Sequence, residues 1–163
     1  MLLGQLERDG VFCRRVKVDV ASHSPQVEPL RADLLASLQG IRPGPVRIPM
    51  YSTVTGEPID GRELGPDYWM RNLRETVQFS SAVHRALKDG ADAVIEISPH
   101  PILLPAIEQS DAGGHPRCLP SMRRQEAERA VMLESLGALF AHGYPVEWAR
   151  LVSGACVSLP TYP

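Results

Sequence analysis

Ala93-Val94-Ile95-Glu96-Ile97 is a short, mostly apolar run that follows a helix stop at Asp89-Gly90 and precedes Ser98-Pro99-His100-Pro101. Such runs suit the middle of a parallel sheet, where helices cover both faces and polar and apolar residues need not alternate. The order of elements then recurs: a short helix is predicted over Pro101 to Glu108 and a short strand over Arg117 to Pro120. A long helix follows over Glu126 to His142, carrying Val131, Leu133, Leu136, Leu139 and Phe140. Helix and strand alternate, so the predicted class is α/β with a parallel sheet.

Upstream, Leu2, Leu3 and Leu6 predict an amphipathic helix stopped by Asp9-Gly10, and Val16, Val18 and Val20 alternate with Arg15, Lys17 and Asp19 as in a half-buried strand. Val27, Leu30, Leu34, Leu35 and Leu38 fall near helical spacing until Gly40 and Arg42-Pro43-Gly44-Pro45 force a loop. Val46 to Val54 predicts a strand and Gly56 to Gly61 a turn region. A helix start is predicted at Gly65-Pro66-Asp67, and Thr76 is predicted to cap a second helix through Val77, Val83 and Leu87. From Gly143 onward the prolines favour an extended path.

His23 lies between the strand ending at Val20 and the helix opened by Ser24-Pro25, which read as N-cap and first helical residue. A loop there holds a side chain on a rigid scaffold within reach of substrate, and imidazole in general titrates near physiological pH. That combination suits proton transfer. The plain alternative is a surface or capping histidine.

Val18-Asp19-Val20-Ala21-Ser22-His23-Ser24-Pro25 resembles the histidine motif of the acyltransferase domain of modular (type I) polyketide synthases, relatives of malonyl-CoA:acyl carrier protein transacylase. The likeness continues through Ile48-Pro49-Met50-Tyr51-Ser52-Thr53-Val54-Thr55-Gly56 and through Tyr68-Trp69-Met70-Arg71-Asn72-Leu73-Arg74 with Val77 and Phe79. It extends to Val94-Ile95-Glu96-Ile97-Ser98-Pro99-His100-Pro101 and Val157-Ser158-Leu159-Pro160-Thr161-Tyr162-Pro163. Five blocks in the family's order span nearly the whole chain. The resemblance implies a partial α/β-hydrolase-like parallel-sheet core, preceded by the last helix and strand of a ferredoxin-like subdomain. Its implied divisions are residues 1–22 for the end of that subdomain, 23–142 for the C-terminal part of the acyltransferase core and 143–163 for the post-acyltransferase linker.

The family resembles serine hydrolases in using a Gly-His-Ser-x-Gly elbow, and no serine here has glycine two residues before and two after. The resemblance places the elbow, and the arginine that grips the substrate carboxylate, before Met1. It implies acyl transfer from CoA to the phosphopantetheine thiol of an acyl carrier protein through a serine acyl-enzyme, with no permanently bound cofactor. His23 is then the general base, oriented by a main-chain carbonyl whose matching position is Asn72. His100 is placed at the pocket rim, against a purely structural reading of the same residue. Ser22 leaves room for a C2 branch on the acyl unit, while Val20 departs from the tyrosine of methylmalonyl-selective domains; the acyl unit stays open. Implied partners are acyl-CoA, the acyl carrier protein and a neighbouring ketosynthase or the N-terminal acyltransferase half. The alternative is a non-catalytic remnant of a truncated or split frame, at most a docking piece.

Composition narrows the remaining classes. The chain has 163 residues, 44% of them hydrophobic, and a formal net charge of -2 with acids interleaved among the bases, which argues against nucleic acid as partner. No apolar run approaches a bilayer span and the N-terminus lacks a signal-peptide layout, so a cytoplasmic location without membrane association is expected. Cys13, Cys118 and Cys156 are an odd number without a C-x-x-C pair, and reduced thiols are expected. His100, His115 and Cys118 lack the second short-spaced pair of a zinc site, and no metal is expected. Cys13, placed mid-strand, reads as a buried structural thiol rather than half of a dyad with His23.

Overall fold

The computed structural model describes residues 2–13, 19–110, 116–154 and 157–160. It divides into two compact units, Met1–Lys88 and Asp89–Pro163, and the division falls at the helix stop Asp89-Gly90. The strand predicted over Val16–Val20 lies mostly outside the described residues, as do His115 and Cys156.

The first unit opens with helix α1, Leu2–Arg8. Gly10 then adopts φ +70, which a side chain resists, and the helix ends where Asp9-Gly10 predicts. Cys13 is half-buried in irregular chain rather than mid-strand, with its Sγ donating to Leu3 O at 3.7 Å. After His23, a 3-10 turn over Pro25–Leu30 is capped by Ser24, whose Oγ accepts from Gln26 N. Pro29 inside that turn carries no N–H to donate, and regular α-helix begins only at Arg31, running to Leu38 as α2.

The strand expected over Val46 to Val54 contracts to β1, Met50–Tyr51, paired antiparallel with β2, Pro58–Ile59. Side-chain competition explains the loss: Ser52 Oγ accepts from Val54 N at 3.0 Å while Gly56 N donates to Ser52 O at 2.8 Å, folding the chain into a turn. Asp60 and Glu63 form a capping box on the 3-10 turn Gly61–Glu63, and α3 follows over Pro66–Arg74. Tyr68 and Met70 on α3 are buried with Val27, Ser52 and Val54 in this unit's core. Helix α4 runs Phe79–Lys88 and starts later than the Thr76 cap predicts. Glu75 leaves α3 extended and Gln78 N donates to Thr53 O at 2.6 Å, so the linking residues are engaged with the hairpin before helix can begin.

In the second unit, β3 (Ala93–Glu96) pairs in parallel with β4 (Arg117–Pro120), Ala93 opposite Arg117 and Glu96 opposite Pro120. Between them stands α5, Leu104–Gln109, three residues later than the sequence places its start. Helix α6, Glu128–Ala141, packs on β4, where Ser135 Oγ donates to Pro120 O at 2.7 Å. The tail is not wholly extended: Trp148–Arg150 forms a 3-10 turn, and Trp148 meets Phe140 edge-on at 5.2 Å. No described helix is long and apolar enough to cross a membrane.

Candidate functional site

His23 holds φ +60, a conformation few non-glycine residues adopt, and its side chain is exposed. Two carbonyls beyond the start of α3's last turn secure it. Its main-chain N–H donates to Leu73 O at 2.8 Å, and its ring Nδ1 lies 3.0 Å from Glu75 O. A carbonyl oxygen only accepts, so Nδ1 carries a proton, and in the neutral ring Nε2 is the nitrogen left with its lone pair. That tautomer is the one a general base needs.

The carbonyl that meets the ring belongs to Glu75, three residues beyond Asn72. Asn72 is half-buried within α3, where carbonyls point along the helix axis, whereas Glu75 sits at the helix end with ψ 164 and turns its carbonyl outward. Glu75 is itself held: its N–H donates to Arg71 O at 2.7 Å, and its carboxylate takes Arg71 Nε at 2.8 Å and Nη2 at 3.2 Å. Two residues past Ser24-Pro25-Gln26, Glu28 accepts from Arg31 Nε at 3.0 Å and from Arg74 Nε at 2.9 Å, tying the turn after His23 to the end of α3. Hydrogen bonds from Arg31 and Arg71 respectively hold the Glu28 and Glu75 carboxyls below the usual glutamate value. Ser22 and Val20, the expected selectivity positions, both lie exposed on the approach to His23, and Ser24 Oγ donates to Ala21 O at 2.7 Å behind them.

His100 stands in the second unit, exposed, after the carboxyl end of β3. Its Nδ1 accepts from Arg124 N at 3.4 Å, the opposite tautomer from His23, since a backbone N–H only donates. Nearby Glu96 is a buried carboxylate that sequence reasoning passed over. It accepts from the N–H groups of Ile102, Leu103 and Leu104 and from Ser98 Oγ. Desolvation pushes its pKa up, but these four donors outweigh it and hold the carboxyl below the usual value. The signal was present: an acid inside a buried strand must have partners. Glu75 gave no such signal, because it meets His23 through its main-chain carbonyl, which every residue carries. Among the described residues, no group of three or more His, Cys, Asp or Glu is placed to hold a metal ion.

Residues 1–144 match the family model described as "Acyl transferase domain". The chain is 42% identical over 180 residues to the spectinabilin polyketide synthase system protein NorA of Streptomyces orinoci, covering 99% of this chain and 10% of that protein. It is 46% identical over 165 residues to the polyketide synthase GfsB of Streptomyces halstedii, covering 99% of this chain and 3% of that protein. Among solved structures, the acyltransferase domain from module 8 of the salinomycin polyketide synthase superposes with a TM-score of 0.84 at 44% identity, over 90% of this chain and 35% of that one. The chain therefore spans a small part of the relatives it matches. The α/β class and the architecture expected from the sequence agree with these neighbours.

Proposed function

Since the chain belongs to the acyl transferase domain family and is a fragment of a polyketide synthase acyltransferase domain, we propose that it supplies the base half of a serine acyltransferase site. The observation that carries this reading is the Nδ1–H of His23 against Glu75 O at 3.0 Å, which leaves Nε2 as acceptor. His23 Nε2 takes the proton of a serine hydroxyl as that oxygen attacks an acyl-CoA thioester, and returns it to the departing CoA thiolate. The serine ester and free CoA result. In the second half-reaction His23 deprotonates the phosphopantetheine thiol of an acyl carrier protein, the sulfur takes the acyl group and the serine regains its proton. No cofactor stays bound through this cycle.

The serine belongs to a Gly-His-Ser-x-Gly segment outside these 163 residues, since none within them has that pattern. Glu75 provides the orienting carbonyl, and Asn72 contributes through the last turn of α3 that carries Glu75 into place. Ser22 and Val20 border the acyl group's C2 substituent, where a small serine favours a branched malonyl-type unit, and His100 lies at the pocket rim. The partners are acyl-CoA, the carrier protein, the N-terminal acyltransferase half and a neighbouring ketosynthase, in the cytoplasm.

The test joins this chain in frame to the serine-bearing part of a related polyketide synthase acyltransferase domain and supplies radiolabelled methylmalonyl-CoA. The chain alone stays unlabelled; the joined protein forms a labelled serine ester, and His23→Asn reduces its formation by about 100-fold or more. Asparagine is the chosen replacement because it tolerates the positive φ. Labelling of the isolated chain, or full labelling in the His23→Asn protein, overturns the assignment.

A further inference from the structure

His100 stands in a loop without regular structure, Ser98-Pro99-His100-Pro101. That loop is not loose. Ser98 N donates to Ser121 Oγ at 3.2 Å, and Arg124 N donates to His100 Nδ1 at 3.4 Å. Gln125, next to Arg124, holds φ +65, so the backing loop is itself drawn into a sparsely populated conformation. Beneath the turn lies Glu96, 9% exposed.

The Glu96 carboxylate is divided between two tasks. Oε2 accepts from Ile102, Leu103 and Leu104 N–H at 3.1, 3.0 and 3.1 Å, satisfying the donors that open α5. Oε1 accepts from Ile102 N at 3.0 Å and faces Ser98 Oγ, also at 3.0 Å. Ser98 Oγ is at the same time 2.9 Å from His100 O, so one hydroxyl proton lies between two acceptors. The arrangement pins both ends of the turn to one buried side chain. A carboxylate that served only to cap α5 would need none of the Ser98 geometry.

We propose that Glu96 is a positioning residue for substrate selection: through Ser98 it fixes the main chain at His100, so that the ring is held on Arg124 N by Nδ1 and offers Nε2–H as a donor. The selection part rests on the proposed placement of His100 at the acyl pocket; the positioning part does not. Glu96 touches no substrate in this arrangement. It acts by limiting the angles at which His100 can meet the acyl group, and a looser His100 weakens binding of the preferred acyl-CoA without removing the base at His23.

Nitrogen NMR of the full chain, with labelled histidine, separates positioning from stability. In wild type and in Glu96→Gln, the neutral ring of His100 gives the Nε2–H tautomer. Gln keeps an acceptor for the α5 amides, and its NH2 donates to Ser98 Oγ, freeing the serine proton for His100 O. Ser98→Ala leaves Glu96 on α5, so the Ile102–Leu104 amides stay protected from exchange, yet the His100 tautomer becomes mixed. Glu96→Ala loses both signatures. An unchanged His100 tautomer in a folded Ser98→Ala protein overturns the positioning role. In the joined, serine-bearing protein, Ser98→Ala raises KM for the preferred acyl-CoA about tenfold, with kcat within about twofold. A changed tautomer with unchanged KM and unchanged acyl preference upholds the positioning of His100 and overturns its placement at the pocket.

Discussion

At φ +60 a side chain crowds its own backbone, and His23 keeps that angle because Leu73 O holds its N–H and Glu75 O holds its ring. Replacement there separates backbone cost from chemical loss. His23→Asn fits the left-handed region; His23→Val does not, because a β-branched side chain is a genuine outlier at positive φ. Thermal melts are expected to place the valine variant about 1–3 kcal/mol below the asparagine variant. Equal melting temperatures would mean that the loop relaxes freely and that its geometry is not imposed. The loop position of His23 was legible in the sequence because a capping serine and a proline follow it. Its contact was not: the resemblance pointed to Asn72, while the carbonyl that meets the ring comes from the residue that first leaves α3, and only the helix end decides that this is Glu75.

Two of the recognisable sequence blocks turn out to meet. Ser52, from the block around β1, is fully buried, and its Oγ lies 2.9 Å from the Tyr68 hydroxyl on α3. Ser52 Oγ already accepts from Val54 N, so the hydroxyl pair both ends the strand and seats the helix whose far end holds His23. Tyr68→Phe removes the partner and leaves a buried serine hydroxyl short of a hydrogen bond, a loss of about 1–3 kcal/mol. Denaturant unfolding checks this, and a midpoint within error of wild type would show that the hydroxyl finds another partner. Helices α1, α3 and α6 and strands β3 and β4 were readable because periodicity and Gly, Pro or Asp stops mark them. The strand expected over Val46–Val54 was not readable at its true length, because the side chain of Ser52 outcompetes the ladder. The delayed start of α5 has a similar origin in Glu96, which captures the amides of Ile102 to Leu104.

Across the whole chain, the carboxylates that order the two candidate elements sit in different surroundings. In the first unit Glu28 and Glu75 pair with arginines at partly exposed positions, with side-chain exposures of 42% for each glutamate. In the second, Glu96 is buried against backbone amides. All three have folded pKa values below the unfolded one, near 4.3, so each contributes stability fully above that pH and loses it as the pH falls through its lower folded value. Salt separates them, because about 1 M salt shortens the screening length from about 10 Å to about 3 Å and acts mainly on exposed pairs. The chain has two tryptophans, Trp69 in the first unit and Trp148 in the second, so Trp148→Phe and Trp69→Phe proteins report one unit each. Fluorescence melts between pH 6 and pH 3 are expected to show an acid loss in the Trp148 signal that salt leaves in place and that Glu96→Gln flattens. The Trp69 signal should carry a smaller loss that salt reduces. If Glu96→Gln and wild type lose stability in parallel as the pH falls, the buried carboxylate is not what ties the second unit to its ionised state.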